Sequence, residues 1–187
     1  MVIYHLKKAK AWCTLAILSA SLLAPMQTKA QRVAVKTNAL YWAASTPNLG
    51  AEFRVNRHVT FNFEAAYNRV KVFNIDTRGA MITPEVRYWF SARPQTGHFV
   101  GIAGIGCHYN YERGGRHKGD LYGGGVTYGY SFVLSRRWSL ETTLGVGMAH
   151  VQEMSWDKDE YEPGEANVKG WRPIPIKAGI TFVYLIK

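Results

Sequence analysis

The stretch Pro173-Ile-Pro-Ile-Lys-Ala-Gly-Ile-Thr-Phe-Val-Tyr-Leu-Ile-Lys187 sets the terms on which the rest of the chain is read. Ile174, Ile176, Ala178, Ile180, Phe182, Tyr184 and Ile186 fall on one face, and Lys177, Gly179, Thr181, Val183 and Leu185 on the other. A period of two is the mark of a β-strand, because successive Cβ atoms leave opposite faces of the ribbon. The run is longer than the about 9 to 11 residues that a tilted strand needs to cross a bilayer.

The same alternation recurs upstream. It predicts strands over residues 32–42, 49–55, 59–68, 81–90, 97–111, 122–134 and 138–149, with 173–187 as the eighth. The third is the cleanest: Val59, Phe61, Phe63, Ala65 and Tyr67 alternate with Thr60, Asn62, Glu64, Ala66 and Asn68. In the first, Lys36 and Asn38 oppose Val35, Thr37, Ala39 and Tyr41; in the fifth, Phe99, Ala103, Ile105, Cys107, Tyr109 and Tyr111 oppose Gly104 and Gly106. Short links follow strands two, four and six, and longer ones, 69–78, 112–120 and 152–172, follow three, five and seven. An even number of strands with alternating short and long connections is the pattern of an all-β, eight-stranded antiparallel up-and-down transmembrane β-barrel.

Alternation does not say which face points inward, since a soluble lipocalin-like barrel and a membrane barrel differ only in that choice. Side-chain size decides it. The polar face is crowded with Gly123, Gly125, Gly129, Gly145 and Gly147, and small residues belong where space is tight, in the lumen of a ring just wide enough for side chains. The charges on that face, Lys36, Arg54, Arg87 and Lys177 against Glu52, Glu64, Glu85 and Glu141, balance. Buried charges persist only when paired, so an interior ion-pair network that plugs the lumen is expected. Tyr41, Trp42, Tyr88, Tyr109, Tyr111, Trp138 and Tyr184, near strand ends, suit aromatic girdles at the two bilayer interfaces.

Upstream of these strands, Lys7, Lys8 and Lys10 precede an apolar run over 11–23, and Thr28-Lys-Ala30 supplies small residues before Gln31. This reads as a signal peptide over 1–30 with the barrel over 31–187, and its apolar run is too short for a spanning helix of about 20 residues. Export places the protein in the outer membrane and excludes cytosolic nucleic acid as a partner. The net charge of +10 weakens as a nucleic-acid signal, because setting the four leader lysines aside leaves 19 basic against 13 acidic residues. With Cys13 in the leader, Cys107 has no bridge partner and reads as a small apolar side chain facing lipid or a neighbouring strand.

No catalytic, metal or cofactor signature stands out. The six histidines are scattered through leader, strands and turns, without the helical spacing of a metal site. Gly101-Ile-Ala-Gly-Ile-Gly106 lacks the glycine order and following helix of a dinucleotide fingerprint. His150, Glu153 and Ser155 lie near the outer end of strand seven, so a barrel enzyme modifying outer-leaflet lipid is the competing class, though no spacing ties them into a nucleophile, base and orienting acid. The loops carry Arg113, Arg116, His117 and Lys118 on one side and Asp157, Asp159 and Glu160 on the other, candidates for contact with a protein partner or anionic lipopolysaccharide.

Lys177, Gly179, Phe182 and Tyr184 resemble the C-terminal signal by which the barrel-assembly machinery takes up its clients, with three residues following the aromatic. Lys36-Thr-Asn-Ala-Leu-Tyr-Trp42, Thr46-Pro-Asn-Leu-Gly-Ala-Glu52, Pro84-Glu-Val-Arg-Tyr-Trp89, Gly97-His-Phe-Val-Gly101, Tyr128-Gly-Tyr-Ser131 and Lys177-Ala-Gly-Ile180 together resemble a Bacteroidota family of unknown function. Its members look like small OmpA- or OmpX-type outer-membrane barrels. The resemblance brings no catalytic residues or cofactor, and implies a lean toward surface assembly beside fimbrial components. The expectation is a non-enzymatic barrel with a structural or surface-interaction role.

Overall fold

The computed structural model describes residues 33–72, 75–91, 93, 95–112, 115–157 and 165–186, with side chains for all of these except 70–76. The expected leader over 1–30, and Arg113, Asp159 and Glu160 among the loop candidates, lie outside the described residues.

The strands are β1 (Val33–Asn38), β2 (Asn48–Arg54), β3 (Val59–Val72), β4 (Ile75–Trp89), β5 (Gly97–Glu112), β6 (Arg116–Val133), β7 (Trp138–Trp156) and β8 (Val168–Leu185), with one short helix, α1 (Ala39–Ala43). Each strand pairs antiparallel with the next, and β1 returns to β8 through Ala34↔Leu185 to Asn38↔Thr181. The sheet is therefore a closed ring, with β3 beyond Tyr67 and β8 before Thr181 extending past the ends of β2 and β1. Among the described residues no helix is long and apolar enough to cross a membrane, which says nothing about a β-barrel.

β1 stops at Asn38, four residues short of the sequence expectation. The Asn38 side chain accepts a hydrogen bond from the Leu40 amide at 3.0 Å, an N-cap that turns the chain into α1. Asn48 then ties the turn back, its Oδ1 accepting from the Asn38 amide at 2.6 Å and its Nδ2 donating to the Asn38 carbonyl at 2.9 Å. The longer links, in contrast, are mostly sheet. Pairing runs on to Val72↔Ile75, Glu112↔Arg116 and Glu153↔Val168, so three long hairpins rise past the low β1–β2 side. Polar side chains do not interrupt these ladders, because they meet complementary partners across the strands, as His108 meets Asp120 at 2.7 Å.

Two expectations about facing are corrected. In β8 the partner register jumps from Gly145↔Lys177 to Val146↔Pro175, leaving Ile176 as an extra, bulged residue beside a proline that has no N–H to donate. Ile176 and Lys177 are both buried in consequence, and Ile174 follows Ile176 inward instead of joining Ile180 and Phe182 outside. In the middle of β5, from Phe99 to Cys107, both faces are apolar or glycine, so alternation alone had no polarity to orient it. Its register with Arg87↔Gly101 and Glu85↔Ala103 turns Phe99, Ala103, Ile105, Cys107, Tyr109 and Tyr111 into the ring, and Val100, Ile102, Gly104 and Gly106 outward. Cys107 thus faces the lumen rather than a lipid-side surface, and Tyr109 and Tyr111 belong to no outer girdle.

Candidate functional site

In the lower half of the ring, seven charged side chains from six strands meet across the interior. Lys36 of β1 donates to both oxygens of Glu141 on β7, at 2.8 and 2.7 Å, and also pairs with Glu52 of β2. Arg87 of β4 spans the ring: Nη1 donates to Glu52 at 3.1 Å and to Glu141 at 3.0 Å, while Nη2 lies 2.8 Å from Glu85 and 3.9 Å from Glu64. Lys177 of β8 closes the circuit to Glu64 at 2.6 Å and Glu85 at 3.0 Å. Three cations thus face four carboxylates, and the neutral donors Asn62, to Glu64 at 2.9 Å and Glu85 at 3.1 Å, and Thr127, to Glu85 at 2.6 Å, share the excess charge. Lys36 and Arg87 are each 1% exposed and Glu141 0%, so the cross-section is sealed at this level.

Arg54 stands apart from this group. It ends β2 at the hairpin, where an inward position already opens toward water, and its Nε donates to the Asn56 carbonyl at 3.1 Å. Sequence reasoning put it with the others on parity alone. It also missed the floor. Trp89 and Phe99, both fully buried, pack at 4.7 Å between ring centroids beneath the network. Arg87 lies 4.5 Å over the Phe99 ring, and Trp89 Nε1 donates to Thr60 Oγ1 at 2.9 Å. The available signal was size: Gly129 lies opposite Phe99, and a Cβ there would run into that ring.

Above the network the lumen narrows against backbone. A Cβ on Gly147 would lie 2.7 Å from both the Gly125 Cα and Ile176 Cγ1, and one on Gly145 would lie 2.7 Å from Thr127 Cγ2. At the mouth, Tyr109 OH donates to Glu153 Oε2 at 2.6 Å, and His117 Nδ1 lies 3.0 Å from Glu153 Oε1 while stacking on Tyr111 at 4.5 Å. Burial first, and then the Glu153 carboxylate, push the Tyr109 phenol well above its ordinary range. The enzyme constellation is not assembled. His150 is on the outer face of β7 between Tyr122 and Trp171, whereas Glu153 and Ser155 share the opposite face, with the Ser155 backbone held by Asn167. Of the loop candidates, Arg116 pairs with Glu112 at 3.3 Å, Lys118 is half-buried and Asp157 is exposed. Among the described residues, no three His, Cys, Asp or Glu side chains gather as metal ligands would.

The outer wall is the inverse of the lumen. Phe61, Phe63, Ile82, Val86, Val100, Val126, Val146, Ile180 and Phe182 are exposed, with Ile102 at 74% and Leu144 at 72%. Tyr88, Phe90, Phe132 and Trp138 form a belt at the short-turn end, where Tyr184 packs on Trp138, and Trp42, Tyr67, Tyr122 and Trp171 form one toward the other. Phe132 and Tyr122 lie on one face of β6; at about 3.3 Å per residue and a tilt of about 40°, their levels differ by about 25 Å. Between the belts the short side chains of Val86, Val100, Val126 and Val146 leave an open apolar hollow of about 610 Å³, flanked by Tyr88, Tyr128 and Leu144. Of the assembly-signal residues, Lys177 and Gly179 face the lumen and Phe182 and Tyr184 the outside.

A family described as "Protein of unknown function (DUF3575)" matches residues 15–186. No curated protein and no solved structure matches the chain.

Proposed function

This chain belongs to the DUF3575 family, and we propose that it is a non-enzymatic outer-membrane β-barrel, of the OmpA-like kind found in Bacteroidota, that holds its long hairpins at the cell surface as a structural or surface-interaction module. One observation carries the reading: the ring is inverted, with paired charges sealed inside and a continuous apolar wall between two aromatic belts outside. In water that wall would be a large unpartnered apolar surface, far beyond the few hundred Å² usual for a soluble monomer. In a bilayer it meets hydrocarbon, and the belt separation of about 25 Å matches the apolar height of such barrels. The soluble ligand-binding alternative needs the two faces exchanged.

The leader read over 1–30 supports export, and Lys177, Gly179, Phe182 and Tyr184 support uptake by the barrel-assembly machinery. Short turns and chain ends then lie on the periplasmic side, and the β3–β4, β5–β6 and β7–β8 hairpins face outward toward lipopolysaccharide and a fimbrial or other surface partner. Their paired charges and hydrogen-bonded mouth suit a rigid platform rather than a reaction centre. The test is fractionation with gel mobility before and after boiling. The protein is expected in the outer-membrane fraction, with a boiled form that migrates differently from the unboiled one. Recovery in the soluble fraction without detergent would overturn the proposal.

A further inference from the structure

The two ends of the ring differ in charge. At the hairpin end basic side chains have carboxylate neighbours: Arg116 pairs with Glu112, and the imidazoles of His108 and His117 lie against Asp120 and Glu153. At the other end every turn carries arginine: Arg57 between β2 and β3, Arg93 between β4 and β5, and Arg136 with Arg137 between β6 and β7. Arg54 adds to them. Among the described residues no exposed carboxylate lies at this end, because Glu52 and Glu141, the nearest along the strands, are wholly buried in the lumen. Where these guanidinium groups make hydrogen bonds, the acceptors are neutral: Arg137 Nη1 to Tyr184 OH at 3.2 Å, and Arg54 Nε to the Asn56 carbonyl at 3.1 Å.

Position matters as much as charge. Arg137 is adjacent to Trp138 of the lower belt, and Arg93 lies three residues beyond Phe90. Aromatic belts mark the headgroup level, so the turns emerge among lipid phosphates. An arginine fork offers parallel donors matched to a phosphate, and cations close to an anionic surface are drawn to it with little screening. Accepting the membrane reading above, on which the inference rests, we propose that this rim binds the phosphates of anionic phospholipids in the leaflet it touches. The barrel thereby collects an annulus of negatively charged lipid on one side only, which fixes its depth as well as its surroundings.

The test uses the purified full chain in vesicles of dioleoyl phosphatidylcholine containing either brominated phosphatidylcholine or brominated phosphatidylglycerol, with tryptophan quenching as the readout. Trp42→Phe and Trp171→Phe remove the exposed indoles of the far belt, so that Trp138 reports on this leaflet over the constant background of Trp89, sealed in the lumen, and Trp156, on the β7–β8 hairpin. Phosphatidylglycerol should associate at least about threefold more strongly than phosphatidylcholine in 50 mM salt, and the preference should shrink in 500 mM salt. In Arg57→Gln, Arg93→Gln, Arg136→Gln, Arg137→Gln combined, the ratio should fall close to one while both lipids still quench. Equal quenching by the two lipids before substitution, or a preference that survives the four substitutions, overturns the headgroup contact and leaves the barrel in the bilayer. Quenching by neither lipid overturns the membrane reading itself, and the contact with it.

Discussion

Along β4, Arg87 and Val86 are neighbours in sequence and opposites in surroundings. Arg87 is held by three carboxylates within 3.1 Å and hidden from solvent, while Val86 stands half exposed beside Val100 and the hollow between Tyr88 and Tyr128. The same contrast repeats on β7, where Glu141 is buried and Leu144 is exposed. The inner wall is specified by pairing, since each charge there has named partners. The outer wall is specified by none, and needs only an apolar solvent. A perturbation of the inner wall should therefore be felt wherever the protein is placed, whereas one of the outer wall should depend on what surrounds it.

The largest effect is expected inside. Arg87→Met leaves Glu52, Glu85 and Glu141 with Lys36 and Lys177 as their only cations and should cost about 3 to 5 kcal/mol, read by urea unfolding in lipid vesicles. A loss below 1 kcal/mol would mean that the network does not hold the lumen together. On the outer wall, Val126→Arg lies midway between the belts and should cost about 2 to 4 kcal/mol in vesicles, as charges do on the lipid face of a barrel. If that wall met water, the change would stay within about 0.5 kcal/mol. A smaller contrast comes from glycine. Gly147→Ala, crowded by Gly125 and Ile176, should cost about 1 to 3 kcal/mol, while Gly104→Ala on the outer face, 3.4 Å from Pro84 Cγ, should be close to neutral. Smallest of all, Asp120→Asn removes an exposed partner of His108 and should shift stability by less than about 1 kcal/mol.

How much of this was legible depended on whether a strand has two chemically different faces. Lys36, Glu52, Glu64, Glu85, Arg87, Glu141 and Lys177 could be grouped in advance because each is flanked along its strand by apolar or small residues, so a single parity assigns it. The middle of β5 has no such contrast, and only its partner Arg87 orients it. The bulge at Ile176 breaks parity inside a strand that otherwise alternates; Pro173 and Pro175 were the available warning, since a residue without an N–H weakens the ladder where it sits. Arg54 shows that parity does not measure depth: the inward direction leads to the core in mid-strand and to water at a hairpin. The contact of Trp89 with Phe99 depends on the β4–β5 register, and the Tyr109–Glu153–His117 group draws on three strands, so alternation within any one strand does not reveal either.

The central claim is that the Val126 side of the ring meets hydrocarbon. It is tested most directly by placing a nitroxide there, with Val126→Cys in a Cys107→Ser background, and comparing collision rates with oxygen and with a water-soluble nickel chelate in vesicles. Strong broadening by oxygen and little by the chelate is the result expected of a label near mid-bilayer. Broadening by the chelate equal to that of a label on a water-exposed turn would contradict it.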